Sequence, residues 1–168
     1  GKQGGGAELE LEVAGVGEVG SNATSVVLNV TVTDTEGPGY VTVYPCGDEP
    51  PTASNLNYVA LGESRANAVV AKVGADGKVC FYTFGGATHL IADVAGYFPG
   101  GSQFTSLTPT RLLDTREGGT GAPAAGATTP LVVGGTPSVP ANAEAVVLNL
   151  TAVDTAGPGY VTAFPAGG

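Results

Sequence analysis

The chain has little charge, and above all little positive charge. Only 12% of its 168 residues are charged, and six Lys and Arg stand against fifteen Asp and Glu, which gives a net charge of −9. Binding to nucleic acid requires a basic face that neutralises phosphates, and an anionic membrane surface attracts the same kind of face. We therefore expect neither nucleic acid nor an anionic membrane as a partner.

Long apolar runs are missing as well. No stretch approaches the roughly 20 apolar residues that a transmembrane helix needs, so we predict no membrane insertion. The first six residues, GKQGGG, do not have the pattern of a signal peptide. We expect any export signal to lie upstream of them.

Residue types for catalysis are scarce. His89 is the only histidine, and Asp93, four positions along a predicted strand, would lie roughly 13 Å from it, too far to orient it as in a Ser-His-Asp triad. One histidine and two widely separated cysteines make neither a closed zinc site nor a redox pair. We therefore predict that the chain is not an enzyme, with no catalytic residues and no cofactor.

Acidic residues beside turns leave calcium as an open alternative. Ca²⁺ prefers carboxylate and carbonyl oxygens from loops, and Asp34, Glu36 and Asp48 lie in turn-like sequence. Their spacing fits no established calcium loop, and an Asp at the start of a turn usually accepts backbone N–H groups. Calcium thus stands beside the simpler interpretation that these side chains stabilise turns.

The two cysteines, Cys46 and Cys80, stand in a chain that has neither Met nor Trp. A cysteine pair in a Gly-rich, charge-poor chain is typical of a disulfide formed in an oxidising compartment. Two buried free thiols are the alternative. A bridge over a loop of this length would stabilise the fold by about 3–4 kcal/mol in the chain-entropy account.

Short apolar stretches alternate with period two between Gly- and Pro-containing turns. Val26, Leu28 and Val30 share one face of residues 25–33, and Asn29 lies on the other, which predicts a half-buried strand. No segment has a helical period, so we predict an all-β fold, an antiparallel β-sandwich or barrel-like domain. Further strands are predicted at 9–14, 40–45, 55–60, 66–73, 78–84, 89–98, 111–115, 129–133, 144–153 and 160–164.

Two of the turns predict hairpins between the strands that flank them. Residues 34–39, DTEGPG, have the composition of a tight turn. Residues 75–78, ADGK, contain the Asp-Gly pair that favours a two-residue hairpin loop. We therefore expect each turn to join neighbouring strands of one sheet.

A long internal repeat is the strongest pattern in the chain. Residues 22–47, NATSVVLNVTVTDTEGPGYVTVYPCG, recur without a gap as residues 142–167, NAEAVVLNLTAVDTAGPGYVTAFPAG, with 17 of 26 positions identical. The offset of 120 residues is domain-sized, which predicts tandem repeats of ~120 residues. We interpret residues 1–100 as a first repeat lacking its opening segment and residues 101–168 as the first half of the next, completed by strands of the other half of this chain or of another chain. Ala166 occupies the position equivalent to Cys46.

Several strings spread over the chain resemble a known domain. They are SLTPTRLLDTR (106–116), AVVLNLTAVDTAGPGY (145–160), SNLNY (54–58), ANAVVAKV (66–73) and HLIADVAGYF (89–98). In this order they resemble a tandem β-rich repeat domain of exported actinobacterial proteins, which is often appended to cell-wall hydrolases. The resemblance implies a secreted protein, at the cell surface or extracellular, with a non-catalytic accessory role.

The RLLDTR string adds a candidate structural cluster. Arg111, Asp114 and Arg116 would either pin their segment to a neighbouring sheet or form a solvent-exposed ion pair, which contributes at most about 1 kcal/mol. The sequence does not favour one of these over the other.

Amides and tyrosines in the strands are candidates for a glycan or partner face. Such a face would combine aromatic rings with amide groups, as carbohydrate recognition does, and its residues would be Tyr40, Tyr44, Asn55, Asn57 and Tyr58. The alternatives are an ordinary outward polar face, or buried amides that must be hydrogen-bonded.

Two functions therefore stay open. The first is a structural module that builds a surface array or filament by strand complementation, residues 102–168 pairing with the 49–100 region of another copy. Its partners would be neighbouring repeats or other copies of the chain. The second is a cell-wall or polysaccharide-binding accessory domain, whose partner would be peptidoglycan or another polysaccharide.

Overall fold

The computed structural model describes residues 1–117, 121–157 and 159–166. They form two compact units, Gly1–Arg111 and Leu112–Gly168. In the described residues there is no helix, and all strands lie in the first unit. The strands are β1 (Ala7–Glu12), β2 (Ala23–Thr33), β3 (Gly39–Pro45), β4 (Leu56–Tyr58), β5 (Arg65–Lys72), β6 (Lys78–Gly85) and β7 (His89–Pro99).

The seven strands form two antiparallel sheets, consistent with the predicted β-sandwich. One sheet has the order β1-β6-β3-β4 and the other the order β5-β2-β7. The strands predicted between residues 9 and 98 are all present, with ends within two residues of the predicted ones. Period two predicted them because apolar side chains at alternate positions, such as Val26 and Leu28 of β2, point into the core.

The core of the first unit is built mainly from β-branched side chains. From β2, the four residues at alternate positions that begin with Val26 are fully buried, and Val41 and Val43 of β3 are buried with them. Phe81 and Val79 of β6 complete the same cluster. Valine suits this environment because its branched side chain loses little rotamer freedom on a pleated surface.

Both predicted hairpins are wrong, because the turns connect different sheets. Residues 34–38 lead from β2 in one sheet to β3 in the other, and residues 73–77 lead from β5 to β6 in the same way. Each of these four strands has valine side chains that point into the core. Crossing between the sheets sets the apolar faces of consecutive strands against each other, which a hairpin within one sheet would not achieve.

A buried threonine fastens the loop between β4 and β5. Thr35 is 1% exposed; its Oγ1 donates to the Ala60 carbonyl oxygen at 2.5 Å and accepts from the Glu63 N–H at 2.8 Å. The Glu63 carboxylate in turn accepts the N–H groups of Val59 and Ala60 at 2.7 and 3.0 Å, and Arg65 pairs with it at 2.6 Å. These contacts, the Val59 bond foremost, lower the pKa of Glu63.

This loop makes part of the stability dependent on pH. Because the pKa of Glu63 is lower in the folded state, its carboxylate stabilises the fold above the unfolded pKa of about 4.3, and this is lost as the pH falls through the folded pKa. We expect Glu63→Gln to destabilise the protein more at pH 6 than at pH 3, measured by urea unfolding. Glu18→Gln, at an exposed position, is the control. If Glu63→Gln lowered the free energy of unfolding equally at pH 6 and pH 3, the stabilising role of the Glu63 carboxylate would be contradicted.

Candidate functional site

The second copy of the repeat forms no strand in its described part, residues 142–157 and 159–166; Pro158 and Gly167 lie outside it. The strands predicted at 111–115, 129–133, 144–153 and 160–164 are likewise absent from the described residues. Strand pairing is non-local, and β2 is a strand because β5 and β7 flank it. Among the described residues of their unit, residues 144–153 have no such pair of strands.

The apolar side chains of the second copy are therefore exposed. Val146, Leu148 and Leu150 are 42%, 41% and 57% exposed, whereas the equivalent Val26, Leu28 and Val30 are completely buried. We call residues 144–153, which form no strand, the non-strand segment.

One backbone angle of the turn after this segment is shared by the two copies. Asp34 and Asp154, at equivalent positions, have φ angles of 54° and 51°. Aspartate tolerates this left-handed region because its short side chain can bond locally. The positive φ of Gly37 is not repeated at the equivalent Gly157, so only the conformation at the Asp is encoded locally in both copies.

Residues 102–111 belong to the first unit and pack on the rest of it. Phe104 stacks on Phe98 with ring centroids 4.5 Å apart. Three polar contacts continue along the segment: Ser106 to the Thr24 carbonyl at 3.2 Å, Thr108 to the Asp48 carboxylate at 2.8 Å, and Arg111 to the Thr52 carbonyl at 2.7 Å.

The three candidate calcium ligands are engaged by protein groups. Lys2 Nζ lies 2.9 Å from carboxylate oxygens of both Asp34 and Glu36, and it lowers the pKa of Asp34. Asp48 accepts the Thr108 hydroxyl. In the described ranges, no three His, Cys, Asp or Glu side chains come together as a metal site. His89 lies exposed at the start of β7.

The predicted disulfide is confirmed. Cys46 and Cys80 are bonded, with Cα atoms 5.0 Å apart, and both cysteines of the chain are thereby used. The bridge ties the chain immediately after β3 to the middle of β6. It therefore reinforces two strands that already pair in one sheet.

The RLLDTR residues divide between the two units. Asp114 and Arg116 form a bidentate pair, with Nε–Oδ1 and Nη2–Oδ2 distances of 2.9 and 2.6 Å. This pairing raises the pKa of Arg116. Arg111 belongs to the first unit, where it donates to Thr52.

Three members of the predicted glycan or partner face are buried, which corrects that prediction. Tyr58 is 1% exposed, and its hydroxyl donates to the Gly86 carbonyl at 2.6 Å. Asn55 is 9% exposed, and its Oδ1 accepts the Val43 N–H at 2.7 Å, extending the ladder of β3. Tyr44 is fully buried. Burial is the main cause that raises the pKa of its hydroxyl, and the nearby Glu8 is the second.

The other two predicted members, Tyr40 and Asn57, belong to a surface that the sequence predicted only in part. On the outer face of the four-stranded sheet, Tyr40 lies opposite Asn57 on one side and Phe84 on the other. The Tyr40 and Phe84 rings stack with centroids 5.2 Å apart and an interplanar angle of 22°, and the Tyr82 ring lies 6.5 Å from Tyr40. We call Tyr40, Tyr82, Phe84 and Asn57 the aromatic face.

Tyr82 and Phe84 were not predicted to belong to this face, although the alternation of side chains along β6 places both on its outer side. In β6, buried Phe81 and Thr83 alternate with Tyr82 and Phe84, so the latter two point away from the core. Only the sheet order, which makes β3 and β6 neighbours, reveals that these rings meet Tyr40.

The strand next to this surface carries a row of carboxylates. Glu8 lies opposite Tyr82, while Glu10 lies opposite Cys80 and pairs with Lys78 at 2.6 Å. Just before β1 the chain runs as three glycines. Gly6 donates to the Thr83 carbonyl at 2.7 Å, and so no side chain from this segment covers the 52% exposed Phe84.

Comparison of the chain with models of protein families, with curated proteins and with solved structures finds no match. Within the described residues, no helix has the length and apolar character needed to cross a membrane.

Proposed function

We propose that the chain is a non-catalytic structural module of a secreted, cell-surface or extracellular repeat protein of the actinobacterial type, and that its repeats assemble by strand pairing. The observation that carries this is a closely similar sequence in two states. Residues 23–33 are the central strand of a sheet, whereas the equivalent residues 143–153 form no strand. The disulfide supports an oxidising, extracellular location.

The non-strand segment gains from a partner strand because its apolar side chains are exposed. Val146, Leu148 and Leu150 have the period-two arrangement that buries their equivalents in β2. Burying a Val or Leu side chain stabilises by about 1.5–3 kcal/mol relative to leaving it exposed. Strand addition also satisfies the backbone N–H and C=O groups of the segment.

The partner is a second set of strands like those that flank β2. In the first unit, β5 pairs with residues 25–32 and β7 with residues 23–33 of β2. In their sheet, β5 and β7 each pair with β2 along one edge. Their opposite, outer edges pair with no strand in the described chain. The partner is therefore the β4–β7 half, residues 49–100, of another copy, approached at such an edge.

Sedimentation velocity over a range of concentrations tests this proposal. We expect the chain to associate, and we expect Leu148→Asp to abolish association because a charge on the core-facing side opposes burial. Val147→Asp is the matched control: Val147 is equivalent to the half-buried, outward-facing Val27 and is 65% exposed. It should leave association intact.

Two results would overturn the proposal. One is a chain that stays monomeric up to its solubility limit, with no fibres in electron micrographs. The other is association that Leu148→Asp and Val147→Asp weaken equally, since strand pairing distinguishes the two faces of the segment.

A further inference from the structure

We propose that the aromatic face binds a neutral polysaccharide, with the Phe84 ring stacking on a pyranose ring. This inference concerns the first unit alone and does not depend on the assembly of the second copy. It rests on the arrangement of rings, polar groups and charges on the outer side of the four-stranded sheet.

The rings of this face are available to a ligand because the core does not use them. Phe84 is 52% exposed, while Phe81 of the same strand is 2% exposed and fills the core. Stacking against Tyr40 fixes the orientation of Phe84 from one side. On the other side of Phe84 the chain consists of Gly4, Gly5 and Gly6, which have no side chains. If Gly5 carried a Cβ, the atoms nearest to it would be backbone atoms of Gly85, the residue after Phe84.

A sugar ring fits such a surface chemically. The axial C–H face of a pyranose is apolar and packs on an aromatic ring, while its hydroxyls need hydrogen-bonding partners around the ring. Tyr82 and Tyr40 supply phenolic hydroxyls, Asn57 supplies an amide across from Tyr40, and Glu8 supplies an acceptor beside Tyr82. Donors and acceptors thus lie on both sides of the rings.

The charge around the face selects against acidic polymers. Glu8, Glu10 and Glu12 alternate along β1 on the outer side of the sheet, and Lys78 pairs with Glu10 alone among them. The whole chain carries −9. A polyanion would be repelled at low salt, whereas a neutral glycan would find acceptors for its hydroxyls.

The face is a shallow surface rather than a cleft, which sets the expected strength of binding. An exposed platform buries little of each sugar and leaves much of it in water, so a single site should bind with a Kd on the order of 1 mM. Several repeats along one polymer raise the apparent affinity by multivalency.

Retention on insoluble polysaccharides tests the inference. The probes are cellulose and chitin as neutral polymers, purified peptidoglycan as a separate arm, and soluble polygalacturonate as an acidic competitor. We expect retention on at least one neutral polymer, a reduction of about tenfold or more with Phe84→Ala, and no effect of polygalacturonate. Phe84→Tyr should retain binding because the ring face is kept.

Tyr97→Ala is the matched control. Tyr97 is an aromatic residue of β7, 39% exposed, in the other sheet, so its removal should leave retention unchanged. Urea unfolding of each variant separates loss of binding from loss of fold. No retention on cellulose or chitin (whatever the result with peptidoglycan), equal retention by wild type and Phe84→Ala, or stronger binding of polygalacturonate than of the neutral polymers would each overturn the inference.

Discussion

Replacement of Leu28 by alanine is expected to lower the free energy of unfolding by about 2–5 kcal/mol, whereas the same replacement at Leu148 should change it by less than about 0.5 kcal/mol. The two leucines occupy equivalent positions of the repeat. Leu28 is fully buried between the sheets, so its truncation removes apolar contacts and leaves a cavity. Leu148 is 41% exposed and leaves none.

Urea unfolding of the three proteins at protein concentrations too low for association measures both effects. The pair of variants is informative because chemistry and local sequence are nearly the same, and only the strand environment differs. If Leu148→Ala lowered the free energy of unfolding as much as Leu28→Ala does, Leu148 could not lie exposed outside a sheet. At higher concentrations Leu148→Ala should also weaken association, in line with the proposed strand pairing.

The second large effect concerns the disulfide. The double variant Cys46→Ala, Cys80→Ala is expected to lose about 3–4 kcal/mol, because the unfolded chain regains the freedom of a loop with a sequence separation of 34. Cys80 is 1% exposed, so the loss of its sulfur adds a small packing term.

Reduction of the wild type provides the matched comparison. Urea unfolding with dithiothreitol should shift the wild-type midpoint close to that of the double variant and leave the variant itself unchanged. A wild-type midpoint that does not respond to complete reduction, verified by thiol titration, would contradict a stabilising role for the bridge.

The strands of the first unit were predictable because their faces differ in polarity. Val26 and Leu28 are separated by one residue and both point into the core, and this alternation is written in the sequence. The pairing of Cys46 with Cys80 was also predictable, since only two cysteines are present. Both inferences depend on local pattern or on simple counting.

Sheet membership was not predictable from the same patterns. The turn at Asp34 has the composition of a hairpin turn, but the choice between one sheet and two depends on what covers the apolar face of β2. For the same reason Tyr40 and Tyr44, which share a face of β3, differ in exposure: Tyr44 is fully buried and Tyr40 only partly. Neighbouring strands and loops decide this, and one strand does not contain that information.

The second copy gives the clearest case of this limit. Its sequence predicts a strand at residues 144–153 as strongly as that of β2 does, and its turn adopts the same φ at Asp154. The strand itself is absent because a ladder needs a partner, whereas a turn does not. The aromatic face was only partly predicted for a related reason, since Phe84 joins Tyr40 through the order of the sheet.

The position of the disulfide also sets how far a repeat can lengthen under tension. Residues between Cys46 and Cys80 lie inside a covalent loop, so a pulling force transmitted along an array would bypass them even in an unfolded repeat. At ~3.3–3.6 Å per extended residue, a separation of 34 residues removes roughly 110–120 Å from the reach of that repeat. In the proposed array, a repeat with alanine at the position of Cys46, as at Ala166, would extend fully, so the distribution of cysteines would govern the extensibility of that array.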